Sequence, residues 1–529
     1  MAADPQAALV ALNRFGLGAR PGDLAAAAAD PRGFLAQEMA KPDVALIALT
    51  PDLAPTKTNL QAMFADQEQK RLQRLAAAQT QPPQDNKMAS ASPAPGAMQP
   101  PSNAAPANSA SAQPKPDTPP ANPTTMQMQA GAAAMTPPSA GAAPMMAPSS
   151  DAKPKPPEPP IEQKIFRAEA LARFAQQIAA DAGFAERMVA FWSNHFAVSV
   201  AKGQFVRVAA GSFEREAIRP YVFGRFADML KAVEQHPTML FYLDNQQSIG
   251  PNSKAGQSQH KGLNENLARE TMELHTLGVG GGYSQADVTS LAAMITGWTF
   301  AGREGRIGEP GTFAFIPNWH EPGPKILLGK SYDQDGLAQG EAALSDLARH
   351  PSTATHIATK LARHFVADNP PPALVAKLAK AFHDSDGDLK IVSAALIEDD
   401  GAWKAPLTKI RNPSDFLIAA ARALDYKASD PNPILGGLNA LGMGLWQPPG
   451  PNGYPDVSEA WASPEAMKVR LDISWQIAQR VRDMGNPLSV LDTAAGLATS
   501  RETREAISRA ETRQQALAIL FMSPEFQRR

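Results

Sequence analysis

The chain contains no cysteine, and that absence excludes disulfides, zinc–thiolate centres and cysteine nucleophiles together. No apolar run approaches the roughly 18 residues that a membrane-spanning helix needs, so a soluble chain is expected. Neither sign of charge is in excess. Fifty basic residues face 52 acidic ones, for a formal net charge of −2, and no basic patch is laced with aromatics, so nucleic acid and anionic membranes are not expected partners. HExxH, GxSxG and nucleotide-binding signatures are all missing. The opening MAADPQAALVALNRFGLGARPGD lacks a charged segment followed by a continuous apolar one, so no export signal is expected there.

Large apolar side chains are missing from one long stretch. Between Ala76 and Pro160 there is no Leu, Ile, Val, Phe, Tyr or Trp, only Pro, Ala, Ser, Thr, Asn, Gln, Met, Gly and scattered charges. Such a composition cannot bury enough surface to offset chain entropy. Three parts are therefore expected: N-terminal helices over residues 1–75 that pack on the main core, a disordered insertion over 76–160, and a main helical domain over 161–529. Outside the insertion, apolar residues recur at helical spacing. The exceptions are Thr312–Ile316 and Lys325–Leu328, strand candidates that flank Pro317–Pro324 and place His320 and Glu321 at the tip of a small β-hairpin. The expected fold is mainly α, a large helical domain with a small β-hairpin and a long disordered insertion.

The stretch that organises the rest is Gly262–Gly278, GLNENLARETMELHTLG. At about 100° per residue, Leu263, Leu267, Leu274 and Leu277 form one apolar stripe, and Glu270 falls inside it. An ionised carboxylate in an apolar face is costly unless it is paired, metal-bound or protonated. One reading pairs it with Arg269 or another basic residue in a structural network. The other makes Glu270 and Glu273, three residues apart and so neighbours on one face, metal ligands or an acid/base pair. His275 falls about 120° from the stripe, out of reach of Glu270 on this helix.

Imidazoles are the natural companions of such carboxylates. Phe184, Met188, Phe191, His195 and Val198 share one helical face, so His195 is expected to point inward, and so is His364, among Ile357, Leu361 and Phe365. His320 is a further candidate because a loop residue is free to converge on a site. The candidate catalytic residues are thus Glu270, Glu273 and His320, and the candidate ligands of a divalent metal are His195, Glu270, Glu273 and His364. Asp244 and the polar loop after it suit a lid or a cation-binding turn. LWQPPGPNGYP at Leu445–Pro455 is too rich in Pro and Gly for regular structure, and with Trp461 its Trp446 and Tyr454 suit the lining of a sugar- or peptide-accepting cleft.

Taken in order, LNRFGLGARPG, FWSNHFAVS, HPTMLFYLDN, NENLARETMELHTLG, YSQADV, ITGW, HEPGPKILLG, KLARHFV and WQPPGPNGYPDVSEAW resemble a large bacterial protein family catalogued as domain of unknown function 1800. The resemblance spans nearly all of the chain outside the insertion. It implies no established activity. Members often look exported and occur beside genes for sulfatase- or phosphatase-like proteins, which implies a periplasmic or extracellular role. Two functions stay open: a hydrolase with a Glu/His site, metal-dependent or acid/base, and a non-catalytic binding or assembly protein with an unknown substrate or envelope partner.

Overall fold

The computed structural model describes residues 4–80, 158–259, 262–481 and 485–529. Of the expected disordered insertion, residues 81–157 lie outside the described residues, while residues 76–80 continue the helix Thr56–Thr80 past the expected boundary. The described residues of Met1–Arg74 and Pro159–Arg529 form a first compact unit, and those of Leu75–Glu158 fall outside it.

Helices make up most of the first unit, and none of those described is long and apolar enough to cross a membrane. Proline opens many of them, among them Pro351–Phe365, Pro413–Ala423 and Pro464–Arg480, at positions where a missing N–H costs nothing. Ser284 and Asp287 form the reciprocal capping box that their spacing suggests, with Asp287 Oδ2 accepting from the Ser284 N–H at 2.8 Å. The HDSDGD segment is a helix-joining turn: Asp388 caps the helix Leu389–Glu398, and Asp386 is held by Arg349 at 2.5 Å.

Both strand candidates are real, but they do not pair with each other. Trp298–Phe300 runs antiparallel to Phe313–Phe315, with Trp298 opposite Phe315. Lys325–Leu327 folds back on Lys330–Tyr332, with Lys325 opposite Tyr332. The second hairpin turns through Leu328 and Gly329, at φ of 50° and 77°, the doubly positive geometry of a two-residue turn that favours the strand twist. A leucine seldom adopts it, so the sequence disguises this turn. His320 and Glu321 therefore sit on the connection between two separate hairpins.

The apolar interior has a main core containing Phe15, Phe184, Trp192, Phe226 and Phe365, and a second centred on Phe416, Leu520, Phe521 and Phe526. Charged groups are buried with them. Arg219 bridges Glu186 at 2.6 Å and Glu214 at 3.0 Å, Arg215 holds Glu169 at 2.6 Å, and Arg173 pairs with Glu214. Burial would depress the Arg219 guanidinium, but Glu186 and Glu214 outweigh it and its pKa lies above the ordinary value. Among the described residues three π-helical turns, Ala11–Phe15, Glu214–Ile218 and Thr271–His275, interrupt this helical framework.

Replacing Arg219 with alanine leaves the buried Glu186 without its guanidinium and Glu214 with Arg173 alone, and a loss of about 3–5 kcal/mol is expected, read as a lower urea midpoint. Lys427→Ala removes only an exposed pair with Asp425 and is expected to leave the midpoint unchanged.

Candidate functional site

Phe184–His195 and Pro351–Phe365 lie side by side in opposite directions, and a polar row runs between them. Arg187, Phe191 and His195 recur at four-residue intervals on one helix, and His356, Lys360 and His364 do so on the other, so each row faces its partner. Arg187 Nη2 lies 3.2 Å from His364 Nε2, and Lys360 Nζ lies 2.9 Å from His195 Nδ1. The Phe191 ring lies between, 5.4 Å from the His364 ring and 6.1 Å from that of His195.

These contacts set the protonation of each ring. His364 Nδ1 lies 2.6 Å from Asp456 Oδ2, so it carries the hydrogen and donates, leaving Nε2 to accept from Arg187. Burial pushes His364 down to about 4; Asp456 opposes that shift and Arg187 reinforces it. His195 Nε2 donates to the His275 carbonyl at 3.1 Å, which leaves Nδ1 to accept from Lys360. Burial, then Lys360, hold His195 well below its ordinary value. Burial also lowers Lys360 to about 8. Asp456 stays ionised: burial would raise it, but His364 and Lys409 keep it well below the usual range.

A cleft with a volume of about 80 Å³ lies against this row. Its lining includes His364 and Asp456, Asn412 and Ser414 at the start of the helix Pro413–Ala423, and Trp446 and Tyr454 from the Pro/Gly-rich loop. The loop is clamped to the Phe184–His195 helix. Asn194 accepts from the Tyr454 N–H at 2.7 Å and donates to its carbonyl at 2.9 Å. Gly453 permits this approach, since a Cβ there would lie 2.3 Å from the Asn194 carbonyl oxygen. Trp446 is in the left-handed region, at φ 48°, a conformation that costs a bulky residue about 1–3 kcal/mol. Two contacts hold it there: its carbonyl accepts from the Val200 N–H at 2.8 Å, and its indole N–H donates to Glu214 at 3.2 Å. Trp461 stands behind the cleft wall, buried and bonded through Nε1 to the Pro455 carbonyl at 3.0 Å.

The acidic stretch differs from its expected form. Its helix begins at Asn266, not at 262, and passes at Thr271 into a π-helical turn. The wider turn rotates the later residues, so that Leu267, Met272, His275 and Leu277 are buried while Leu263 and Leu274 are only half-buried. His275 thus points inward, with Nδ1 2.7 Å from Glu234 Oε1. The other polar atom of each group, His275 Nε2 and Glu234 Oε2, is buried without a hydrogen-bond partner. Glu270 is half-buried and has no ion pair among the described residues, because Arg269 turns to Glu265 at 3.1 Å. Burial raises the Glu270 pKa; Glu273 adds to the rise and His275 opposes it. Glu273 accepts from the Tyr283 hydroxyl at 3.4 Å.

The named candidates therefore separate. His364 lines the cleft, His195 lies behind it on Lys360, and Glu270 and Glu273 are not among the lining residues. His320 is buried between the two hairpins, with Nδ1 3.2 Å from the Thr296 carbonyl oxygen, and Glu321 accepts from the Asn252 backbone and side chain at 2.9 and 2.6 Å. Asp244 is taken by Lys202 at 2.6 Å. Among the described residues no group of three or more His, Asp or Glu side chains is placed to hold a metal ion.

A family model described as protein of unknown function (DUF1800) matches residues 10–528. No curated protein and no solved structure matches the chain.

The depressed imidazoles have a measurable consequence. In the unfolded chain they titrate near 6.5, and in the folded one His364 and His356 do so at about 4. Between those values the unfolded state binds more protons. The stabilisation is therefore complete above about pH 6.5 and is lost as the pH falls towards 4, at up to about 1.4 kcal/mol per pH unit for each imidazole. Urea midpoints across this window are expected to fall with acidification, and His364→Gln to give a shallower decline than wild type.

Proposed function

Because the chain belongs to the DUF1800 family, whose description names no activity, its function has to be argued from its site, and we propose that the cleft binds a neutral, polyhydroxylated ligand of the sugar class without transforming it. One observation carries this reading: each ionisable side chain that lines the cleft is already committed within the protein. Arg173 is held by Glu214, and Asp415 by Arg187 at 2.9 Å and Arg529 at 3.0 Å. Asp456 is held by His364 and Lys409, and His364 by Asp456 and Arg187. A general base needs a free lone pair within reach of its proton, and the imidazole in the cleft has both nitrogens occupied. What remains for a ligand is the aromatic surface of Trp446 and Tyr454 with the Ser414 hydroxyl and the NH2 of Asn412, whose oxygen caps the helix by accepting from the Asp415 N–H. Apolar walls with a few neutral hydrogen-bonding groups suit recognition. An envelope glycan or its fragment is the partner this lining favours.

A second reading, an acid/base hydrolase, draws support from Glu270. This half-buried carboxyl, with its raised pKa and no ion pair among the described residues, has the properties of a general acid. Turnover of chromogenic glycosides or esters that disappears in Glu270→Gln and persists in Trp446→Ala would favour it over the cleft.

Calorimetric titration with neutral oligosaccharides tests the binding reading. A saturable, one-to-one ligand is expected, with Trp446→Ala weakening it by about 2 kcal/mol, or roughly thirtyfold in Kd. Binding that is indifferent to both Trp446→Ala and Tyr454→Ala would remove the cleft from consideration.

A further inference from the structure

A second cavity, which shares no lining residue with the cleft, lies in the second core. Leu417, Ala420, Ala421 and Leu424 follow one another at i, i+3, i+4 and i+7 along Pro413–Ala423 and its C-cap, which makes a single helical face. The face is large at both ends and small in the middle. Ile434, from the helix Asn432–Ala440, and Ile477 and Val481, at the end of the helix Pro464–Arg480, stand against it without filling the space that the two alanines leave. The hollow has a volume of about 210 Å³.

The lining of this space is apolar except for Tyr426 and Arg480. Arg480 is exposed, and neither its guanidinium nor the Tyr426 hydroxyl has a hydrogen-bond or ionic partner among the described residues. An apolar hollow gains nothing from water, because water needs polar partners that alanine, leucine and isoleucine do not supply. It favours a hydrocarbon, each methylene of which leaves water at a gain. A guanidinium at the wall selects among hydrocarbons: it repels a cationic head, adds little for a neutral one and pairs with a planar carboxylate.

We propose that the cavity between the helices Pro413–Ala423, Asn432–Ala440 and Pro464–Arg480 binds a single-chain amphiphile with a carboxylate head, its alkyl chain against Ala420 and Ala421 and its head at Arg480 and Tyr426. The occupant is a free fatty-acid-like molecule, not the chain of a lipid held in a bilayer. The site is independent of the sugar-class reading of the cleft.

The full-length protein, stripped of lipid and titrated calorimetrically with decanoate and with decanol below their aggregation concentrations, tests this. Saturable one-to-one binding of decanoate is expected, about fivefold tighter than decanol. Arg480→Gln should erase that preference. Ala421→Phe, which fills the hollow, should abolish binding of both, with circular dichroism and thermal melting reporting whether the fold is kept; Ala420→Leu fills the same space from the adjoining turn if the phenylalanine is not accommodated. The proposal is overturned by decanoate binding that survives in a folded filled variant, by equal affinity for decanol in wild type, or by the absence of saturation. Co-sedimentation with phosphatidylglycerol vesicles without binding of monomeric decanoate also overturns it, in favour of a membrane surface.

Discussion

A buried carboxylate, Glu214, is the constraint on which much of the architecture depends. It is 2% exposed, and an isolated anion at that depth would cost several kcal/mol. Arg173 reaches it from the helix Ile161–Ala179, Ser193 from the helix Phe184–His195, Arg219 from the turn that follows its own, and Trp446 from the Pro/Gly-rich loop. Burial would raise its pKa, but these partners, Arg173 first, bring it below the ordinary value. One oxygen pair thus fixes segments far apart in sequence and, through Trp446, carries the order of the core out to the wall of the cleft.

The row between the helices Phe184–His195 and Pro351–Phe365 works by a different principle. Its imidazoles are kept neutral, and His195 and His364 each use one nitrogen as donor and the other as acceptor, so the row passes from Asp456 through His364 to Arg187 and from Lys360 through His195 to the His275 carbonyl. Polar groups at such depth specify one arrangement when all their bonds are made. The hydrogen-bonding capacity of His195 and His364 is taken up between helices, and the cleft beside them is lined by rings, an amide and a hydroxyl.

Local features of the fold are legible in the sequence. Helical periodicity places His195 and His364 on inward faces, Ser284 and Asp287 announce their cap, both strand candidates exist, and the ordered motifs point to the family. Non-local features are not legible. Two strands find other partners, because pairing is decided by turns, one of them built on a leucine at positive φ. The apolar stripe through Glu270 assumes a regular helix, and the π-helical turn after it rotates His275 inward and Leu274 outward. The regular helical angle alone excludes His275, and nothing near it in the sequence signals the wider turn. Arg269 stands next to the lone Glu270 yet pairs with Glu265, one turn back, at a spacing that favours such pairs. The cleft takes its aromatics from a loop marked by composition, but Asp456 and Arg187, far apart in sequence, are joined to His364 only by the fold.

The three π-helical turns among the described residues make the fold sensitive to the length of its helices as well as to their composition. Each supplies a buried polar anchor: Arg14, which donates to the carbonyls of Ala402, Ala405 and Pro406; Glu214, with its arginines; and His275, on Glu234. A π-turn holds one residue more than a regular helical turn, so each anchor depends on one extra residue in its helix. Loss of one codon there would straighten the helix and swing every later side chain by about 100°, taking the anchor out of register while changing no other amino acid. A one-residue deletion at any of these three places therefore does more than a substitution: it takes away a buried polar centre while leaving every neighbouring amino acid as it was.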